Sequence, residues 1–293
     1  MWCETKKTCI INPMKKYLKL LRVKHYIKNL IIFLPMFFGG ALLDSTDWKA
    51  AVIGFFAFCA ASSAIYIIND IKDADKDRMH PTKKNRPIAS GEISKSTAAV
   101  ICAVCIVIAA GLSVITFGYS KASVILLLAY ILINVLYSSG LKNVPVLDVF
   151  ILASGYALRI YYGGFITGIR ISEWLFLVIT AGALYMGFGK RRGELLRGTD
   201  TRKVLEIYTA QFLERAMTVM LSLSIVFYAL WAMDFRDKKM IFSVPVFIAV
   251  LIRYSMVSDE KADGDPVEII LSDIPLIVLS ILLSLCIGLL IYI

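Results

Sequence analysis

Long apolar stretches recur along the whole chain, separated by short polar connections. Nine runs of 14–21 mostly apolar residues stand at 30–43, 50–69, 97–117, 122–138, 146–166, 173–189, 213–233, 241–258 and 274–293. Each approaches the roughly 20 helical residues that cross a bilayer core. Their apolar positions do not alternate with period two, as barrel strands would require. The pattern predicts an all-α, polytopic bundle of nine spans forming one membrane domain over 1–293. Within it, residues 1–28 read as a basic interfacial segment and 70–96 as an Asp-rich loop.

Composition removes the soluble alternatives. Hydrophobic residues make up 58% of the 293 positions and charged ones 18%, with a mean hydropathy of +0.73. A water-soluble domain of this size needs a more polar skin than that. The net charge of +10 would suggest nucleic acid on a soluble chain, but here it reads first as topology. Twenty-four of the 32 Lys and Arg fall in alternate connections on one side of the predicted spans, and six on the other. By the positive-inside rule that places the amino terminus in the cytoplasm and the carboxyl terminus outside, in a cell membrane. Nucleic acid drops out as a partner, and a single chain or an oligomer would serve equally.

Residues 12–28 carry Met14, Tyr17, Leu18 and Leu21 on one helical face and Lys15, Lys16, Lys19 and Arg22 on the other, the layout of a helix lying in the membrane interface. The six cysteines form no framework. Cys102-Ala-Val-Cys105 has metal-like spacing but only apolar neighbours, so a pair of buried thiols is expected.

Chemistry concentrates where the second span ends. Asn69, Asp70, Asp73 and Asp77 share one helical face with Tyr66, whereas Asp75 points away. Carboxylates stacked on one face repel unless a cation lies between them. A hard ion such as Mg²⁺ fits, because it takes oxygen ligands and keeps positions for water and a substrate's phosphates. Downstream, Lys83, Lys84 and Arg86 supply positive charge, and Pro81 and Pro87 can fold that segment back over the acidic face. The plain alternative is a solvated loop whose charges pair with one another. His80 and His25 serve at least as well as structural residues as they would as bases or ligands, and no chemistry is assigned to them.

A second group spans the fourth and fifth runs. Asn134 and Tyr137 close the fourth, Lys142 lies in the connection, and Asp148 opens the fifth. Arg159 follows Asp148 by eleven residues, about 20° from the same face, so both are expected to look into one cavity. Arg159 could meet a substrate phosphate or simply pair with Asp148. Arg253 is expected to snorkel. Lys190-Arg191-Arg192 ends the sixth span and serves equally well as a stop-transfer cluster or as part of the site. The acidic connection Asp259, Glu260, Asp263, Asp265 and Glu268 is less regular and reads as a turn.

The pattern Asn69-Asp70-x-x-Asp73-x-x-x-Asp77 resembles the first Asp-rich motif of the UbiA-type membrane prenyltransferase superfamily. Within it, the segments 22–29, 77–91, 137–142, 146–148, 158–159, 189–194 and 264–268 are similar to the branch that loads phosphoribose onto a polyprenyl phosphate. Two departures from the aromatic prenyltransferases favour that branch. The second Asp-rich motif is missing, and Lys28-Asn29 replaces the usual Asp-Lys-Pro entry; within the branch's own pattern, Val23 and His25 stand where Pro and Gln are usual.

The resemblance implies a nine-helix bundle and Mg²⁺-dependent transfer of 5-phosphoribose from phosphoribosyl diphosphate to a decaprenyl-like phosphate, releasing diphosphate at the cytoplasmic face for a cell-envelope polysaccharide precursor. It implies Asn69, Asp70, Asp73 and Asp77 around the metal, and Lys28, Tyr66, Lys83, Arg86, Tyr137, Lys142, Arg159 and Lys190 around the substrate. Asp73, Asp77 and Asp148 are the expected catalytic carboxylates. The rival readings are prenyl transfer to an aromatic acceptor and, outside enzymes, a transporter with a cation site.

Overall fold

The computed structural model describes residues 13–43, 48–81, 83–198, 202–260 and 266–293. Those residues are helical with no strand. The order is α1 (Pro13–Leu20), a 3₁₀ stretch Val23–Phe33, α2 (Leu34–Phe38), α3 (Trp48–Met79), α4 (Lys95–Tyr119), α5 (Lys121–Ser139), α6 (Leu147–Thr167), α7 (Glu173–Arg197), α8 (Ala210–Asp234), α9 (Ser243–Glu260), α10 (Pro266–Leu271) and α11 (Ile274–Tyr292). Among the described residues, seven helices are long and apolar enough to cross a membrane. Eight of the nine predicted runs fall on long helices, and the first does not.

That first run is built from the 3₁₀ stretch and the five residues of α2. Arg22 enters it in the left-handed region at φ 52°, and Pro35 within α2 has no N–H to give. The 3₁₀ backbone bonds poorly by itself, but it is pressed into the bundle. A Cβ on Gly163 of α6 would overlap the Ile32 carbonyl, so glycine is what lets the two backbones meet. Asn29 is buried there and donates to Cys59 Sγ of α3 at 3.2 Å. The interfacial helix is correspondingly shorter than the sequence suggests. It stops at Leu20, which is buried against Ala64 and Ile67, while Met14, Tyr17 and Leu18 face outward.

α3 is the central element. Its small residues Ala57, Ala60, Ala61, Ser62, Ser63 and Ala64 are buried, which permits close approach of α4 in a setting where packing replaces the hydrophobic drive. It runs ten residues past the predicted span and carries Asp70, Asp73 and Asp77 on rigid helix. Ser94, Thr209 and Asp273 cap α4, α8 and α11 with side-chain acceptors to Thr97 N, Phe212 N and Leu276 N at 3.1, 3.1 and 2.8 Å. Asp273 also receives both ends of the Arg253 guanidinium, at 3.0 and 2.7 Å. Arg253 therefore pairs across α9 and α11 rather than snorkelling. Cys59, Cys102 and Cys105 are buried thiols; Cys3, Cys9, Asp263 and Asp265 lie outside the described residues.

Candidate active site

The acidic face of α3 is half closed and half open. Asp70, only 3% exposed, accepts from Arg22 Nη2 at 2.6 Å and Arg86 Nη1 at 3.0 Å. The same Arg86 nitrogen reaches Asp77 at 2.7 Å. The basic segment thus folds back over the acids, helped by Lys83 N donating to His80 Nδ1 at 3.4 Å within the turn. Lys83 itself stands in the short 3₁₀ turn Lys83–Asn85 at the edge of this group. Asp73 remains open: its nearest cation is Lys142 Nζ at 3.8 Å, and its side chain is 30% exposed. Asn69 lies one turn before it on the same face.

The four-ligand expectation for the metal narrows here. Among the described residues, no group of three His, Cys, Asp or Glu stands ready to hold an ion, and Asp70 and Asp77 pair with arginine. Asn69 and Asp73 are the oxygen donors of this face that no arginine engages. Two protein ligands suit Mg²⁺, which dehydrates reluctantly and completes its shell with water and phosphate.

Beside that face lies a cavity of about 120 Å³ lined by Lys28, Tyr66, Tyr130, Asn134, Tyr156, Arg159 and Lys190 with apolar residues of α6 and α7. Its lining holds three cations and no carboxylate. Arg159, 6% exposed, donates to Asn29 Oδ1 at 2.7 Å, Gly155 O at 2.7 Å and Tyr130 Oη at 3.0 Å. Its guanidinium lies 4.8 Å from the Tyr130 ring centre and 5.4 Å from that of Phe58. Neutral acceptors fix the arginine without cancelling its charge. Tyr66 is held between the Arg22 guanidinium, 4.5 Å from its ring centre, and the His25 ring at 5.7 Å.

Asp148 does not face Arg159. It is fully buried and accepts from Arg191 Nε at 2.5 Å and Tyr208 Oη at 2.7 Å. Arg191 continues to Glu194 Oε2 at 2.6 Å and to Tyr137 Oη at 3.0 Å, and Arg202 Nη1 meets the same Tyr137 oxygen at 3.2 Å. Eleven residues of helix return to the same face but rise about 16 Å along the axis, so the shared-cavity expectation fails on distance. Asp148 is sealed among these partners, Tyr137 is partly exposed, and neither lines the cavity. The basic triplet divides three ways: Lys190 lines the cavity, Arg191 is sealed, and Arg192 pairs outside with Glu214 and Asp259, at 3.0 Å each.

A second space adjoins the first. An apolar groove of about 570 Å³ runs between α3, α4 and α5, lined by Ala61, Ile65, Ile106, Ala110, Leu127 and Ile131 among others. Asn69, Lys72, Asn134, Ser138 and Ser139 form its polar end. Asn134 lines both spaces.

Sequence reasoning gave Arg22, Asn29, Tyr130 and Tyr208 no role of their own. Asn29 could have been suspected as an amide beside Lys28 in an apolar run. Nothing in the sequence links Tyr208 to Asp148.

A polar, acid-free cavity beside a long apolar groove, both on an all-helical membrane scaffold, suits an anionic group next to an apolar chain. The model of the UbiA prenyltransferase family matches residues 32–270, and the chain belongs to that family. It is 36% identical to the decaprenyl-phosphate phosphoribosyltransferase of Corynebacterium glutamicum, over 94% of this chain and 86% of that one. To the enzyme of the same name from Mycobacterium tuberculosis H37Rv it is 32% identical, over 89% of each. Among solved structures, the UbiA homologue of Archaeoglobus fulgidus bound to GPP and Mg²⁺ superposes with a TM-score of 0.74 at 19% identity, over 94% of this chain and 99% of that one. That last likeness concerns the fold.

Proposed function

We propose that this protein transfers 5-phosphoribose from phosphoribosyl diphosphate to the phosphate of a polyprenyl lipid. The observation that carries the reading is the acid-free cavity of Lys28, Arg159 and Lys190 meeting the apolar groove at Asn134. A multiply charged, water-soluble donor suits the first space and a long isoprenoid the second. The relatives' names agree with that pairing.

Asn69 and Asp73 would hold Mg²⁺, which when bound would supply positive charge for the diphosphate leaving group. Lys28, Arg159 and Lys190 bind donor phosphates, with Lys142 approaching from the loop above Asp73 and Lys83 at the edge. Arg86 and Arg22 keep Asp70 and Asp77 in place. The bond from ribose C1 to the diphosphate oxygen breaks, and the oxygen leaves with the electron pair. An oxygen of the lipid phosphate forms the new bond to C1 from the opposite face. The nucleophile is already an anion, so no general base is needed, and catalysis rests on positioning and electrostatics. The charge asymmetry of the connections supports a cytoplasmic face of a cell membrane as the side of this chemistry.

Transfer of a prenyl group to an aromatic ring is disfavoured by Asp148. Where a second metal cluster would be needed to ionise an allylic diphosphate, the available carboxylate is sealed by Arg191 and Tyr208. Purified protein supplied with Mg²⁺, a polyprenyl phosphate and labelled phosphoribosyl diphosphate should give a labelled lipid and free diphosphate. Asp73→Ala should cut the rate at least ~100-fold. Absence of labelled lipid from the wild type, or undiminished product from Asp73→Ala, overturns the reading.

A further inference from the structure

The connection between α5 and α6 carries Lys142 and ends in an unusual backbone. Val146 has φ 69° and ψ −51°, and Leu147 N donates to Pro145 O at 2.8 Å. Together these make a γ-turn of the positive-φ kind, which is rare and strained. A β-branched residue at its centre is the least suited to that region. Such strain persists only where surrounding contacts over-determine it, and it concentrates at functional sites.

The contacts that hold it are identifiable. Val146 N, turned out of the helix, donates to Tyr208 Oη at 2.6 Å. Tyr208 Oη in turn donates to Asp148 Oδ1 at 2.7 Å. Burial first, and then the Asp148 carboxylate, push the Tyr208 phenol above its ordinary range, so the hydroxyl keeps its proton and the direction of the chain is fixed. The Tyr208 ring stacks on Phe212 at 5.8 Å, which anchors the hydroxyl to the start of α8. Arg191 completes the arrangement. One of its nitrogens donates to Asp148 after the connection and another to Tyr137 before it, so a single guanidinium staples both stems.

Between the stems the backbone is stiff. Asn143 N and Val144 N bond to Gly140 O and Leu141 O at 2.9 and 3.1 Å. Lys142 rides on that short turn and comes within 3.8 Å of Asp73. Its position is therefore governed by the joint at Val146.

We infer that Tyr208 is a positioning residue for the donor site: its hydroxyl holds Val146 in the strained turn, and the turn holds Lys142 over Asp73. This rests on the proposed transfer reaction for its kinetic consequence and on the geometry alone for its structural one. Tyr208 touches neither the cavity nor the groove. Without the hydroxyl, Val146 relaxes to negative φ and Lys142 moves away from the diphosphate.

The test uses the full-length protein in detergent with three variants. Tyr208→Phe keeps the ring and removes the hydrogen bonds. It should raise donor KM about tenfold and leave kcat within about twofold, since binding is what Lys142 serves. Val146→Gly added to Tyr208→Phe should return donor KM to within about threefold of wild type, because glycine reaches positive φ without a Cβ penalty. A merely structural loss would not be rescued by introducing glycine. Val146→Pro forbids positive φ while leaving Tyr208 in place, and it should reproduce the donor KM defect if Tyr208→Phe does not fold.

Backbone hydrogen exchange over 140–149, measured without substrates, should be faster in Tyr208→Phe than in wild type. An unchanged donor KM in a folded variant, a defect confined to kcat, a glycine that does not rescue, or unchanged exchange each overturns the inference. A wild-type protein with no transfer activity but the expected exchange pattern overturns the proposed reaction and leaves the strut standing.

Discussion

Arg159 and Arg191 are both buried arginines on adjacent helices, and they have opposite surroundings. Arg191 is enclosed by its own counter-ions, Asp148 and Glu194 at 2.5 and 2.6 Å, with no exposed surface. Arg159 has no carboxylate within ion-pair distance among the described residues. Its partners are an amide oxygen, a backbone carbonyl and a phenol. A cation neutralised by carboxylates belongs to the architecture, because removing it strands buried charge. A cation satisfied only by neutral acceptors keeps its field for an arriving anion, and Arg159 lines the cavity where that anion would sit. What a charged group faces, and what it still lacks, separates the two better than burial does.

The comparison predicts two different failures, and the larger is one of stability. Arg191→Gln leaves Asp148 buried without its cation and Glu194 with only Arg202 at 3.7 Å, and unfolding free energy should fall by about 3–5 kcal/mol, read from thermal or denaturant unfolding in detergent. Arg159→Gln leaves neutral acceptors behind, so stability should fall by no more than about 2 kcal/mol. Its damage should appear in transfer, with kcat/KM for the donor reduced at least ~100-fold. Equal losses of stability in the two variants would erase the distinction, as would an active Arg159→Gln.

A substrate contact for Arg159 is legible in the chain, whereas its separation from Asp148 and the part played by Arg191 are not. Helical periodicity predicts Asp148 and Arg159 on one face of α6, but it carries no information about the rise that separates them or about the different partners each meets. The partner that Asp148 uses lies on α7, and the tyrosine that completes the set lies in the connection after it. Such contacts depend on how helices are docked, which a repeat of 3.6 residues does not encode.

The acidic face of α3 was legible for the converse reason. Asn69, Asp70, Asp73 and Asp77 are neighbours on one helix, so local geometry alone brings them together. Even there, the sequence did not show that Arg22 and Arg86 would claim two of the three carboxylates. The spans were legible because a lipid-facing helix advertises itself through composition over its whole length. The exception was the first, where contacts with α3 and α6 set a 3₁₀ backbone.

A smaller effect should separate the two spaces that meet at Asn134. Ala110 lines the groove and is not among the residues that line the cavity. Ala110→Trp should obstruct the isoprenoid and raise the lipid-phosphate KM about tenfold, or ~1.4 kcal/mol, while donor KM stays within twofold. A short-chain isoprenoid phosphate should be less affected than a long one. If donor and lipid KM rise together, the groove and the cavity are one site, and the division of labour drawn between them is wrong.

The smallest effect tests whether the contrast between the two arginines extends to a half-exposed cation. Lys142 stands 3.8 Å from Asp73, and both side chains are about one-third exposed. An ion pair in that setting contributes about 0–1 kcal/mol, so Lys142→Gln should leave unfolding nearly unchanged. If Lys142 is held in place for the donor, as Arg159 is, donor KM should still rise about three- to tenfold. Because the contact is open to solvent, the ratio of variant to wild-type KM should shrink as salt is raised toward ~0.5 M, where the screening length is a few ångström. The corresponding ratio for Arg159→Gln should hardly move, since that charge is shielded from counter-ions by protein. A Lys142→Gln variant that is less stable but binds the donor normally would place Lys142 with Arg191, among the groups that serve the fold.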